Sequence, residues 1–527
     1  MSILSIVCQE KMRKKWVSMS SPRNNPKKWV SKLFRGLAAA YVVGDGTAAF
    51  VLQIQDMTGR RLGPGKRRII WWLRRDLRLA DNRTLHQALT DAGAVIPVFV
   101  LDPALLESRT LAEGRRQFLF DSLADLNEQL RIRGSRLILR QGDPARELGR
   151  LASETSAAAI YFHADITPFA RRRDRRVTEL LAAEGLRVAS FPDAYMAAPD
   201  QVLKGDGRPY SVFTPYSRRF DRVVTILPRV AVPGRLDTPA DIPSLDPADS
   251  APARNNRFAR GGETEAQRLL RAFLRRPDGL SRYAGTRNDI ALDSTSHLSP
   301  HLHFGTISVR ELVRSARAMQ ARSGVRNVDL WIRELVWREF FAQVLWHVPH
   351  AARGSFRPEY ADLGWENDEA KFVAWCEGRT GYPIVDAAMR QVNETGWMHN
   401  RARMIVASFL TKDLLIDWRW GERYFMQHLV DGDLASNNGG WQWAAGTGTD
   451  AQPFFRIFNP VEQGRRYDPQ GACIRRWIPE LARVPARYLH APWTMPLGAA
   501  SRAGYPDPIV DHAAQRRRAL MLYRRGG

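Results

Sequence analysis

The chain of 527 residues carries 79 Lys and Arg against 55 Asp and Glu, a net charge of +24, with 44% hydrophobic and 25% charged residues. This is the balance of a soluble globular protein long enough for two or three domains, and its cationic excess favours a polyanionic partner, most simply nucleic acid held through its phosphates. Three widely separated cysteines (Cys8, Cys376, Cys473) make neither a disulfide framework nor a metal motif, and no run reaches the roughly 18 apolar residues of a membrane span.

A reduced, cytoplasmic residence is expected, with no membrane contact. A secretory signal is not, because the basic cluster Lys11–Lys15 follows the first apolar run instead of preceding it. Residues 1–65 are rich in Lys and Arg, poor in acids and without a clean period; they are expected to form a basic, poorly ordered extension, with Met57 an alternative start. From residue 66 to 195 the pattern becomes α/β. The apolar runs Ile69–Leu73, Val95–Val100, Leu137–Leu139, Ala159–Phe162 and Val188–Phe191 predict strands. A helix signal spans Asp81–Leu89, and a longer one runs from about Glu113 to Arg133 with Phe118, Leu123, Leu126 and Leu130 three to five apart. Continuous apolar strands separated by helices predict a five-stranded parallel, doubly wound sheet. No glycine-rich loop follows the first strand; Arg74-Arg75-Asp76-Leu77-Arg78 stands there, against a standard dinucleotide site at that turn. Residues 196–262 are proline-rich and read as an interdomain linker, and residues 263–527 as a large all-α domain.

Within the helical part, Tyr283 precedes Thr295-Ser296-His297-Leu298-Ser299-Pro300, a hydroxyl cluster ahead of a helix that suits an anion or a plain N-cap. His297, His301 and His303 lie close in sequence, but Pro300 interrupts them and no acid or Cys completes a ligand set, so no metal is expected. Trp331, Glu334, Trp337 and Arg338 share one helical face, where a Glu334–Arg338 pair between indoles predicts a half-buried cavity wall. Asn400, Arg401, Arg403 and Met404 add an amide, two guanidinium groups and a thioether. The segment Asp431–Trp443 then sets two carboxylates, two adjacent amides, a glycine pair and two indoles within thirteen positions. In a helix Trp441 and Trp443 point about 200° apart, so one indole turns inward while the other lines open space.

These stretches, with Lys412–Trp418 and Phe454–Pro460, resemble the photolyase/cryptochrome family over roughly residues 67–500, most nearly its class I cyclobutane pyrimidine dimer branch. The resemblance implies an α/β antenna domain and a helical domain holding a folded FAD. It implies that Tyr283, Thr295, Ser296, His297, Leu298 and Ser299 grip the cofactor's phosphates and nearby groups. Trp331, Glu334, Arg338, Arg403, Asp431, Gly432 and Asp433 would line the rest, with Asn437 at the flavin N5. Trp337 and Trp443 would sandwich the dimer, Glu334, Asn400 and Met404 touch its bases, and Arg401 and Arg456 lie near the DNA strand. Trp441, Trp418 and Trp365 would relay electrons. Glu334 and Asn437 are thus the catalytic pair, the Glu334 carboxyl with a pKa raised by burial.

The function so implied is light-driven repair of UV-damaged DNA by a monomer with no obligate protein partner. The alternative is a blue-light sensor without repair activity. Asn400 directly after His399, the amide at Asn437 and a tail of only 34 residues after Trp493 favour repair. The antenna stays open among methenyltetrahydrofolate, a deazaflavin, a second flavin and no antenna at all. Phe169-Ala170 stand where folate-binding relatives carry an Asn-Glu pair, which disfavours the folate.

Overall fold

Strands buried on both faces must send apolar side chains both ways, and β1 (Arg68–Leu73) does so: Ile69, Trp71 and Leu73 face one side, Ile70 and Trp72 the other. It is the centre of a sheet with β2 (Ala94–Leu101), β3 (Ile138–Gln141), β4 (Ala159–His163) and β5 (Arg187–Phe191) in the order β3-β2-β1-β4-β5, every pair parallel. The Trp71 face packs against the helix Glu113–Arg131 through Phe118, Leu123, Leu126 and Leu130, the stripe visible in the sequence. The Trp72 face is covered by Pro144–Thr155 and Pro168–Ala183 through Leu148, Leu151, Val177 and Leu181. The helix expected from Asp81 spans Arg83–Asp91, its first turn capped by Asn82, whose Oδ1 accepts the Leu85 amide at 3.0 Å.

This computed structural model describes residues 67–323, 327–451, 453, 455–496 and 504–525, all within the compact unit Pro64–Gly527. The basic extension expected over residues 1–65 lies outside the described residues.

The proline-rich stretch after β5 does more than connect. It contains a helix, Phe213–Val223, that buries Phe213, Tyr216 and Phe220. Further on it covers the free edge of the sheet: Leu139 of β3 donates its amide to Ser244 Oγ at 2.9 Å and accepts from the Leu245 amide at 3.0 Å. An edge strand so covered cannot recruit another chain.

The remainder is helical, as expected. Its main elements are Glu263–Arg275, Val309–Ser323, Val328–His347, Pro383–Thr395, Asn400–Ser408, Trp418–His428, Leu434–Ala445 and His512–Arg525, and a π-helical turn, Phe409–Asp413, extends the fifth of these. One core forms where Leu335 and Phe340 meet Leu270, Phe273 and Leu312; another gathers Ile405, Leu410, Trp375, Trp418 and Trp441. No helix among the described residues is long and apolar enough to cross a membrane.

The Arg74–Arg78 run, standing in the position of a phosphate loop, instead welds the sheet to the helices. Arg78 Nη2 meets Asp193 Oδ2 at 2.6 Å after β5, and Arg310 from Val309–Ser323 binds both Asp193 and Asp81, the latter at 3.3 Å. All four side chains are buried. Arg75 reaches further and contacts Asp433 Oδ2 at 2.7 Å, at the start of Leu434–Ala445.

Candidate functional site

Between Val328–His347 and the pair Asn400–Ser408 and Leu434–Ala445 lies a cavity of about 590 Å³. Every cofactor and catalytic residue expected from the sequence lines it: Tyr283, Thr295–Ser299, Trp331, Glu334, Arg338, Arg403, Asp431, Gly432, Asp433 and Asn437. So do Trp337, Trp443, Asn400, Arg401, Met404 and Trp441. Three named residues lie elsewhere: Arg456 is exposed outside the cavity, Trp418 is buried behind it, and Trp365 is half-buried.

Helical spacing places the first wall as expected, with Trp331, Glu334, Trp337 and Arg338 all on the lining. The pairing expected within that wall is not formed. Arg338 donates to the carbonyls of Ala194 at 3.0 Å and Leu302 at 3.4 Å, with its guanidinium 4.3 Å from the Tyr195 ring. Glu334 pairs instead with Arg287 at 2.8 Å. The physical reason is that backbone acceptors from the segment after β5 and from Ser299–Phe304 satisfy Arg338, which leaves Glu334 to a cation from another element. Burial pushes the Glu334 carboxyl up from its usual range, with Arg287 opposing. Behind the wall Trp337 stacks on Phe213, centroids 3.6 Å apart and planes 6° from parallel. That ring comes from the stretch whose composition suggested only a linker.

The hydroxyl cluster is not a plain N-cap. Leu298 occupies the cap of Ser299–Phe304 and supplies no side-chain bond, while His297 takes a left-handed φ of 53°. The Thr295 Oγ1 is buried without a hydrogen-bond partner among the described residues. His301 is buried on Thr306 Oγ1 at 2.7 Å, and burial pushes both it and His303 down to about 4. Among the described residues no group of three His, Cys, Asp or Glu is arranged to hold a metal.

The opposite wall is built by paired charges. Arg403 Nη2 spans both Asp431 oxygens at 3.1 and 2.9 Å. Burial works against the Asp431 charge, but Arg403 outweighs it and holds the carboxyl below its usual range. Asp433 is held further down: Arg75 and His303 overcome its burial, while its other oxygen caps the helix by accepting the Ser436 amide at 3.0 Å. The glycine pair has two uses. A Cβ on Gly439 would lie 2.2 Å from Phe341 Cδ1, so the two wall helices touch there, whereas one on Gly440 would meet open space. Asn437 donates its amide hydrogens to the Glu422 carbonyl at 3.0 Å and Oε1 at 3.2 Å, leaving Oδ1 free as an acceptor. Burial pushes Glu422 up to about 7 despite that donation.

Trp441 is 2% exposed and Trp443 half-buried, the inward and open pair expected from their spacing, although both touch the cavity. The Trp441 ring lies against Trp418–His428 where Gly421 makes room: a Cβ there would be 2.1 Å from its Cη2. Gly421 is three residues from Trp418 and so on its helical face. The Trp365 strip joins the same place, with the Glu366 amide bonded to the Leu415 carbonyl at 2.9 Å and the Asp417 amide to Asn367 Oδ1 at 2.9 Å. Sequence reasoning missed Arg75, Arg287, Phe213 and Glu422. Only the Arg74–Arg78 run carried any signal of its own.

A cavity of this size, lined by indoles and leucines together with Arg287, Arg338, Arg401 and Arg403, and carrying polar atoms at Thr295 Oγ1 and His399 Nε2 that lack partners among the described residues, fits a large polar cofactor with acceptors of its own. The fold and site are those of a flavin-binding photolyase or cryptochrome. Residues 331–525 match the model for the FAD binding domain of DNA photolyase, and residues 69–234 that for DNA photolyase. A deoxyribodipyrimidine photo-lyase of Synechococcus is 43% identical over 86% of this chain and 96% of its own length. Two solved structures superpose on most of the chain. A class III photolyase from Agrobacterium tumefaciens does so with TM-score 0.82 at 38% identity, covering 88% of this chain and 98% of its own. A Synechocystis cryptochrome gives TM-score 0.80 at 30% identity, covering 87% of this chain and all of its own. The chain belongs to the DNA photolyase family. It is an enzyme, and its cofactor is FAD.

Proposed function

We propose that the chain repairs cyclobutane pyrimidine dimers in UV-damaged DNA, using light absorbed by reduced FAD. The observation that carries this reading is a single cavity shared by cofactor-type residues and by two indoles, an amide and a thioether suited to pyrimidines. FAD, when bound and reduced, supplies the light-excited electron. Tyr283, Thr295–Ser299, Arg338, Arg403, Asp431 and Asp433 would hold it, and Asn437 Oδ1 would accept a hydrogen bond from it.

A dimer extruded from the duplex loses stacking, least where pairing is already weakened. Trp337 and Trp443 return part of that loss, about 1–3 kcal/mol per stacked base. Phe213 stiffens the first of these walls. Arg401, exposed Arg456 and the net charge of +24 hold phosphates without regard to sequence. Burial raises the Glu334 carboxyl against the opposing pull of Arg287, and in its protonated form it would donate to a pyrimidine carbonyl where negative charge builds. Glu334→Ala is expected to lower the repair yield per absorbed photon severalfold while FAD stays bound, as checked by flavin absorbance beside dimer counts. The enzyme acts in the cytoplasm as a monomer, and any antenna chromophore is identified by the mass of pigments released from it.

The deciding experiment incubates the protein with ultraviolet-treated oligothymidylate in light and in darkness. Light-dependent loss of dimers is expected. Flavin photochemistry with no loss of dimers would favour the sensor reading.

A further inference from the structure

His399 is 2% exposed and lines the cavity between Trp397 and Asn400. In the fold it caps Asn400–Ser408: its Nδ1 accepts the Arg401 amide at 3.1 Å. A nitrogen that accepts carries no proton, so the neutral ring keeps its hydrogen on Nε2. Burial, reinforced by Arg403 and Arg401, pushes the ring's pKa down to about 4, so the ring is neutral at physiological pH. That Nε2 is shut off from solvent and has no hydrogen-bond partner among the described residues. A buried donor left so costs about 1–3 kcal/mol. Capping does not justify the expense, because Ser, Asn or Asp caps a helix as well or better. The charged side chains acting on the ring from the elements around it include Arg403, Arg401 and Arg287. A neutral N–H beside three guanidinium groups suits an electron-rich or anionic acceptor.

We propose that His399 is a further cofactor-contacting residue, its Nε2–H donating to an acceptor of bound FAD, a phosphate oxygen or a ring nitrogen of the nucleotide. The proposal rests on the cavity being the FAD site. The same chemistry is carried by a DNA nucleotide, and the burial of His399 beneath exposed Asn400 favours the cofactor.

Two substitutions separate the ring's two nitrogens. His399→Asn places an acceptor where Nδ1 stood and nothing at Nε2, so the cap survives and the donor is lost. His399→Gln reaches an amide nitrogen to the Nε2 position and loses the cap. With full-length holoenzyme in the dark, His399→Asn is expected to keep the wild-type melting temperature and to lose FAD about tenfold more readily, followed by the fluorescence of released flavin. His399→Gln is expected to melt earlier and retain FAD. Wild-type retention of FAD in the Asn variant overturns the proposal. So does weakened dark binding of a dimer-containing oligonucleotide with FAD retained, which moves the acceptor to the DNA. If wild-type protein leaves dimers intact in light while these flavin differences persist, the repair reading fails and the His399 contact stands.

Discussion

Arg310→Ala is expected to destabilise the protein by about 1–3 kcal/mol, the cost of buried hydrogen bonds lost from a charge network in which Asp81 keeps Arg314 and Asp193 keeps Arg78. Arg310 binds Asp81, which follows β1, and Asp193, which follows β5, and all three are buried. Its loss strips a charge from the joint between sheet and helices. Arg310→Lys should recover only part of the loss, since an ammonium cannot fork across two carboxylates. A fall in the denaturant midpoint measures both variants, and an unchanged midpoint in Arg310→Ala would rule out a structural role for the joint. The pH dependence has a definite sign. Burial alone would raise the Asp81 carboxyl, but Arg310, Ser308 and Arg314 outweigh it and hold it at about 2. A carboxyl depressed on folding contributes stability that is complete above its usual value of 3.8 and disappears as pH falls through about 2. The gap between wild type and Arg310→Ala should therefore narrow across that acid window.

What could be seen in advance follows from how far apart the cooperating residues lie. The Phe118–Leu130 stripe and the apolar runs of the strands are local periodicities, so the doubly wound sheet was legible. Trp331, Glu334, Trp337 and Arg338 sit on one helix, and spacing alone put them on one wall. The partners that tune the wall were hidden. Arg287 reaches Glu334 from the turn after Tyr283–Thr286, Arg75 reaches Asp433 across 358 positions, and Phe213 backs Trp337 from the proline-rich stretch. Local spacing offered Glu334 the guanidinium of Arg338 four residues away, and the fold gave that guanidinium two carbonyls instead. The convergence of the named residues on one cavity could be expected only from the family resemblance, because their separations in sequence carry no information about distance.

Trp441→Phe is expected to abolish most light-driven reduction of the bound flavin by an external thiol, lowering its rate by at least an order of magnitude. Trp441 is the buried indole that touches both the cavity and the face of Trp418–His428 bearing Trp418. Trp365 is brought to the same region by bonds from its neighbours Glu366 and Asn367, and its ring is half-buried. In the proposed relay Trp441 gives up an electron inward, Trp418 refills it, Trp365 refills Trp418, and the thiol restores Trp365 from solvent. Phenylalanine preserves most of the packing against Phe425, whose ring centroid lies 5.0 Å away, but is far harder to oxidise. Packing loss and lost electron supply then separate cleanly. Repair measured after reduction with dithionite should fall much less than photoreduction does, because the relay is bypassed. Equal losses in both assays would mean that the substitution disturbs the cavity itself. Unchanged photoreduction would point to another donor, and the Trp375 ring, 6.1 Å from Trp441, is the next aromatic along a different line.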